Sequence, residues 1–166
     1  VFNDSRGYFY ESYNKQKFIE NNLLFEFIQD NQSKSQFGTV RGLHYQTEPF
    51  AQAKLVRVLF GKIIDVALDL RASSETFGKY FSIELSENNH KQLLIPRGFA
   101  HGFSVISETA VVAYKIDNVY SPEHEEGIAF NDPNLNIDWG IKEAEMIISE
   151  KDKRNNVFSK SNIYFD

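Results

Sequence analysis

From Gly7 onward the apolar residues recur at short, mostly alternating spacing, and Gly, Asn, Pro or Ser interrupts them about every ten residues. That rhythm predicts a β-sandwich or barrel. "LLFEFIQDN", residues 23–31, reads as a strand ending near Asp30. "KLVRVLFGKIIDVALDLR", Lys54 to Arg71, predicts a hairpin with Gly61 and Lys62 as its two-residue turn. Four more strand candidates follow in "GKYFSIELS", "KQLLIP", "AHGFSVIS" and "AVVAYKIDN". Two packed antiparallel sheets, or a jelly roll, accommodate that many strands while limiting free edges. Two stretches break the rhythm. "SYNKQKFIENN", Ser12 to Asn22, predicts a short helix capped by Ser12 with Phe18 and Ile19 turned inward. In the polar tail "SEKDKRNNVFSK", the Ser149-x-x-Asp152 spacing predicts the start of another helix.

The stretch "RGLHYQTEPFAQAKLVRV" places chemistry inside the strand pattern. A turn around Pro49 sets His44 opposite Lys54, and alternation groups Lys54 with Val56, Val58 and Phe60 on an inner face. A buried ammonium costs several kcal/mol unless it is paired or loses its proton. Either the interior holds an anion, or the register slips by one and the lysine is exposed. His44 by itself reads first as a core histidine donating to a backbone carbonyl. A metal site would need more: "HYQ" supplies one histidine, His101 could join it, and His90 and His124 sit in polar turns. No metal is expected. Tyr114 alternates with Val112 and Ile116 and reads as a core aromatic with its hydroxyl at the margin. Arg6, Glu11, Asn31 and Arg41 fall near strand ends, where charges are usually solvated, although arginines around one cavity mouth would suit a diphosphate.

Composition narrows this further. A chain of 166 residues has room for one domain with a real core, and 42% apolar content with 15 Phe and 8 Tyr supplies that core. The net charge of -5 argues against general affinity for nucleic acid, which needs concentrated Lys and Arg. With no cysteine there is neither a disulfide scaffold nor a thiolate zinc site. No apolar run is long enough to span a membrane, so no membrane partner is expected. The chain opens at Val1 without Met, which reads as a domain lacking a short N-terminal segment.

Seven blocks then assemble into a resemblance. "VFNDSRGYFYES", "QDNQSKS", "VRGLHYQTEPFAQAKLVRV", "GKIIDVALDLRASSETFGKY", "IPRGFAHGF", "YSPEHEEGI" and "FNDPNLNIDW" resemble, in order and spacing, the dTDP-4-dehydrorhamnose 3,5-epimerases. The match runs from Val1 to about Asp152. It implies a single all-β domain over residues 1–166, a cupin-like jelly roll (double-stranded β-helix) with short peripheral helices. It further implies a cytoplasmic homodimer that takes a nucleotide-sugar substrate and needs no cofactor or metal. The implied reaction is epimerisation at C3 and C5 of dTDP-4-dehydro-6-deoxy-D-glucose, through an enolate, to dTDP-4-dehydro-L-rhamnose. By the same resemblance His44 is the base, Asp152 the carboxylate that orients it, Lys54 the cation on the ketone and Tyr114 the acid on the opposite ring face. Arg6, Glu11, Gln29, Asp30, Asn31, Arg41, Lys54, His101, Glu125 and Lys151 fall at substrate-binding positions. A single-centre epimerase, a non-catalytic sugar-nucleotide module and a metal-dependent cupin oxygenase are the alternatives on the same barrel.

Overall fold

The computed structural model describes residues 1–159, 162 and 164–166. A short ribbon, β1 (Phe2–Asp4) and β2 (Gly7–Phe9), is followed by the helix α1 (Lys15–Glu20). The body comprises β3 (Gln29–Gln36), β4 (Thr39–Gln46), β5 (Lys54–Phe60), β6 (Lys62–Asp69), β7 (Tyr80–Ser86), β8 (Gln92–Ile95), β9 (Phe99–Val105), β10 (Thr109–Ile116), β11 (Glu125–Gly127) and β12 (Ile147–Ile148). One sheet runs β3-β10-β5-β8, and the other runs β11-β4-β9-β6-β7 with β12 added in parallel to β4. Successive strands from β3 to β11 change sheet at every step except β6 to β7, which makes the body a jelly roll.

The larger sheet is buried on both faces. Its inner side packs Ile63, Ala67, Phe103 and Val105 against Val56, Val58, Ala110 and Val112 of the smaller sheet. Its outer side carries Val40, Leu43, Val66, Leu68 and Ala100, which the C-terminal segments cover with Ile128, Leu135, Trp139 and Phe158. β6 accordingly reads as a nearly continuous apolar run rather than a clean alternation. Among the described residues no helix is long and apolar enough to cross a membrane.

Several local expectations change. The Gly61–Lys62 turn joins no hairpin, because β5 pairs with β10 and β8 whereas β6 pairs with β7 and β9. It is a corner between sheets. Gly61 takes φ +78°, and a Cβ there would stand 2.0 Å from the Thr109 carbonyl oxygen, so only glycine fits. The strand expected over residues 23–31 is displaced: Leu23 to Ile28 form no strand, and β3 begins at Gln29 with the polar sequence QDNQSKSQ. Hydrophobic alternation misses such a strand because its inward residues face a polar cavity instead of the core.

The first helix is shorter than predicted. Asn14, not Ser12, caps it by accepting from the Lys17 N–H, and α1 buries none of its residues. Phe18 packs edge-on against Tyr13 and Phe27, whereas Ile19 stays exposed. In the tail the Ser149 Oγ accepts from the Asp152 N–H at 3.1 Å, but the N-cap is Lys151, and one 3₁₀ turn, Asp152–Arg154, follows in place of a helix.

Candidate active site

The cavity lies between the two sheets. A lobe of about 490 Å³ is lined by Arg41, His44, Lys54, His101, Tyr114 and Asp152 among others, and an adjoining lobe of about 280 Å³ adds Gln29, Asn31, Tyr120 and Glu125. His44, Lys54 and Tyr114 line both lobes. His44 and Lys54 do share an interior, but not as the ladder partners the sequence suggested. His44 on β4 is opposite His101 of β9 and Gly127 of β11, while Lys54 opens β5 opposite Ile116 and Ile95. They face each other across the sandwich. Tyr114 sits on β10 between Val56 and Asn31, on the Lys54 side.

His44 is held from behind. Its Nε2 lies 2.5 Å from Asp152 Oδ1, and Asp152 is 4% exposed. A carboxylate can only accept, so Nε2 donates and the neutral ring keeps Nδ1 as its basic atom. Burial alone would push the Asp152 carboxyl up. The His44 hydrogen bond and charge, with Ser149 and the Gly42 N–H, outweigh it and hold Asp152 below the ordinary carboxylate range.

Lys54 is the site's perturbed cation. Desolvation brings its ammonium down from 10.5 to about 8, against the pull of Asp65 and Glu125. His101 is buried, with Nε2 at 2.7 Å from Oδ1 of Asp65. Burial lowers the His101 pKa although Asp65 raises it, and the charges of Lys54 and His44 lower it further. Burial raises the Tyr114 phenol, so it stays a proton donor across the physiological range.

The mouth of the cavity is polar. Glu125 accepts from the Tyr120 hydroxyl at 2.6 Å and pairs with Lys151. Burial acts upward on Glu125, and those two partners bring it below its ordinary value. Gln29 donates to Asn31 at 2.8 Å, and Arg41 Nε donates to Ser35 Oγ at 3.1 Å.

Three expected binding residues stand elsewhere in this chain. Arg6 pairs with Asp4 in the exposed ribbon, and Glu11 pairs with Lys17. Asp30 alternates to the outer face of β3, where its carboxylate meets Lys115 at 2.8 Å. Conversely, Asp65, Ser33 and Tyr120 belong to the site and escaped the sequence. Asp65 gave the clearest unused signal, a carboxylate alternating with Ile63 and Ala67 on an inner face. Among the described residues no three His, Cys, Asp or Glu side chains converge as a metal-ligand set.

Comparison with known proteins identifies the family. The family model described as dTDP-4-dehydrorhamnose 3,5-epimerase matches residues 1–160. The enzyme of that name from Shigella flexneri is 50% identical over 153 residues, covering 92% of this chain and 83% of the relative. The crystal structure of dTDP-4-dehydrorhamnose 3,5-epimerase from Elizabethkingia anophelis superposes with a TM-score of 0.93 at 56% identity, covering 98% of this chain and 89% of that one. A Legionella pneumophila epimerase solved in complex with dTDP-4-keto-L-rhamnose gives 0.90 at 45% identity, covering 94% and 82%. The jelly roll is therefore of the cupin-like kind, and a histidine and a lysine facing each other across it sit in a framework these enzymes share. The chain belongs to the dTDP-4-dehydrorhamnose 3,5-epimerase family.

Proposed function

We propose that His44 is the base, Tyr114 the acid and Lys54 the enolate's cation in this isomerase. The enzyme epimerises C3 and C5 of dTDP-4-dehydro-6-deoxy-D-glucose to give dTDP-4-dehydro-L-rhamnose. The observation that carries the assignment is that these three side chains, drawn from both sheets, line one cavity. A C4 ketone acidifies the hydrogens on C3 and C5, because removing either leaves an enolate with its charge on the C4 oxygen. Lys54 stabilises that charge with an ammonium already stripped of part of its hydration, so the fixed cation acts more strongly than one in bulk solvent. Inversion needs proton removal from one ring face and return to the other, and His44 and Tyr114 approach from opposite sheets. Asp152 fixes the tautomer of His44 and favours its protonated form after abstraction.

Gln29, Asn31, Arg41, His101, Glu125 and Lys151 border the cavity and bind the nucleotide sugar. Arg6 and Glu11 lie on an arm whose Phe2, Tyr8 and Phe9 are 74%, 58% and 66% exposed. In a homodimer that apolar ribbon is covered, and Arg6 and Glu11 serve the cavity of the second copy. The enzyme acts as one domain in the cytoplasm.

The test is turnover in D2O with mass spectrometry of the product. Label at both C3 and C5 is the expected result. Label at C3 alone makes the protein a single-centre epimerase, and label at neither removes the proton-transfer mechanism. For the dimer, mixing inactive Arg6→Ala and His44→Ala chains should restore part of the activity. No recovery in mixed dimers would place Arg6 outside the partner's site.

A further inference from the structure

Asp65 is an unusual charge for the place it occupies. It alternates with Ile63 and Ala67 on the inner face of β6 and is 0% exposed. Its Oδ1 accepts from His101, whereas Oδ2 is buried with no hydrogen-bond partner among the described residues. A buried carboxylate oxygen left unpaired is costly unless a cation nearby compensates it. Lys54 enters the same interior from the opposite sheet and, among the described residues, makes no hydrogen bond or direct ion pair.

The other carboxylates at the cavity already have partners. Glu125 on β11 holds Lys151 and Tyr120, and Asp152 holds His44 of β4. Arg41 on β4 donates to Ser35, and Tyr114 on β10 brings no charge at neutral pH. Among the described residues Asp65 bonds only to His101 on β9, which burial holds toward its neutral form.

We propose that Asp65 is the buried counter-ion that keeps Lys54 an ammonium between turnovers, and so is a positioning residue for enolate stabilisation. This rests on Lys54 being the enolate's cation. Because Asp65 makes no direct ion pair with Lys54, it holds the ammonium without occupying the donors the C4 oxygen needs. As charge develops on that oxygen, the enolate becomes the ammonium's near partner and Asp65 stays in place through His101. The direction of the Lys54 titration agrees. Burial already brings it to about 8 with Asp65 assisting, so withdrawing that carboxylate takes it lower, toward loss of the proton at neutral pH.

The experiment compares kcat and KM against pH for the wild-type enzyme and Asp65→Asn, which retains an acceptor for His101. The alkaline limb of kcat should move acidward by about one pH unit, lowering kcat on that limb about tenfold while KM changes less than about twofold. A merely structural role would leave the limb where it is, and an unmoved limb overturns the proposal. Wild-type enzyme without exchange would sink the epimerase reading itself, a separate outcome. Should Asp65→Asn fail to fold, the double variant Asp65→Asn/Lys54→Met decides. Removing both opposite charges should restore a cooperative melt and stabilise Asp65→Asn by more than Lys54→Met stabilises the wild type, and failure to do so overturns the pairing.

Discussion

Replacing Lys54 by Met removes the desolvated ammonium of the sugar cavity and keeps the length of the side chain. In the unfolded chain this lysine titrates near 10.5, in the folded enzyme near 8, a difference equivalent to about 3 kcal/mol of net charging cost. Water in the open cavity screens part of that, so a gain of about 1–3 kcal/mol in stability is expected for Lys54→Met at pH 7. The sign follows from proton counts. Below pH 8 the lysine is charged in both states and the native state carries the full cost. Between 8 and 10.5 the unfolded chain binds the extra proton, wild-type stability rises with pH, and the advantage of the variant fades. Urea melts followed by fluorescence of the buried Trp139, at fixed protein concentration and at pH 7 and pH 10, measure this directly. Exchange into C3 and C5 should be lost in the same variant. A variant no more stable than wild type at pH 7, or a gain that persists undiminished at pH 10, would refute the placement of a desolvated cation at Lys54.

Other outcomes follow from single contacts. His44→Ala should abolish deuterium exchange in a protein that still melts cooperatively, at a lower midpoint because Asp152 loses its partner, and retained turnover would refute its role as base. Tyr114→Phe should slow net epimerisation about 100-fold or more, while deuterium still enters recovered substrate through His44. Loss of both exchange and epimerisation would argue against separate acid and base. Gly61→Ala, at φ +78° and against the Thr109 carbonyl, should lose at least about 1–3 kcal/mol in a urea melt. An unchanged midpoint would contradict the tight corner. Burial acts upward on Asp69, but Arg71, Ser74 and Thr76 hold its carboxyl far below the ordinary range. Its contribution is therefore complete above that range and lost as pH falls beneath it, so Asp69→Asn should cost about 2 kcal/mol at pH 7 and converge with wild type in acid.

The sequence made strands legible wherever their inward residues meet a core, as in β5, β6, β9 and β10. It could not tell which strands pair, because an apolar face looks the same whether the next strand lies beside it or across from it. The Gly61 turn was misread for that reason. β3 was displaced because Asn31 and Ser33 line a polar cavity, and Asp65 was passed over as one acid in an apolar run. His44, Lys54, Tyr114 and Asp152 were found through the resemblance. Spacing had left the first two ambiguous, Tyr114 a core aromatic and Asp152 a helix cap. The position of Arg6 and Glu11 away from their own cavity was beyond any single-chain pattern.

The alternation of successive strands between the two sheets has a kinetic side. Apart from β6 with β7 and the small ribbon, neighbours along the chain are not neighbours in a ladder; β3 waits for β10, and β4 waits for β9. Such long-range closure makes refolding slow compared with locally paired topologies. His44 and Lys54 meet only after both sheets have formed and docked. Turnover in a refolding trace therefore starts no earlier than the closing of the sandwich, and whether its onset depends on protein concentration separates that step from the docking of the second copy.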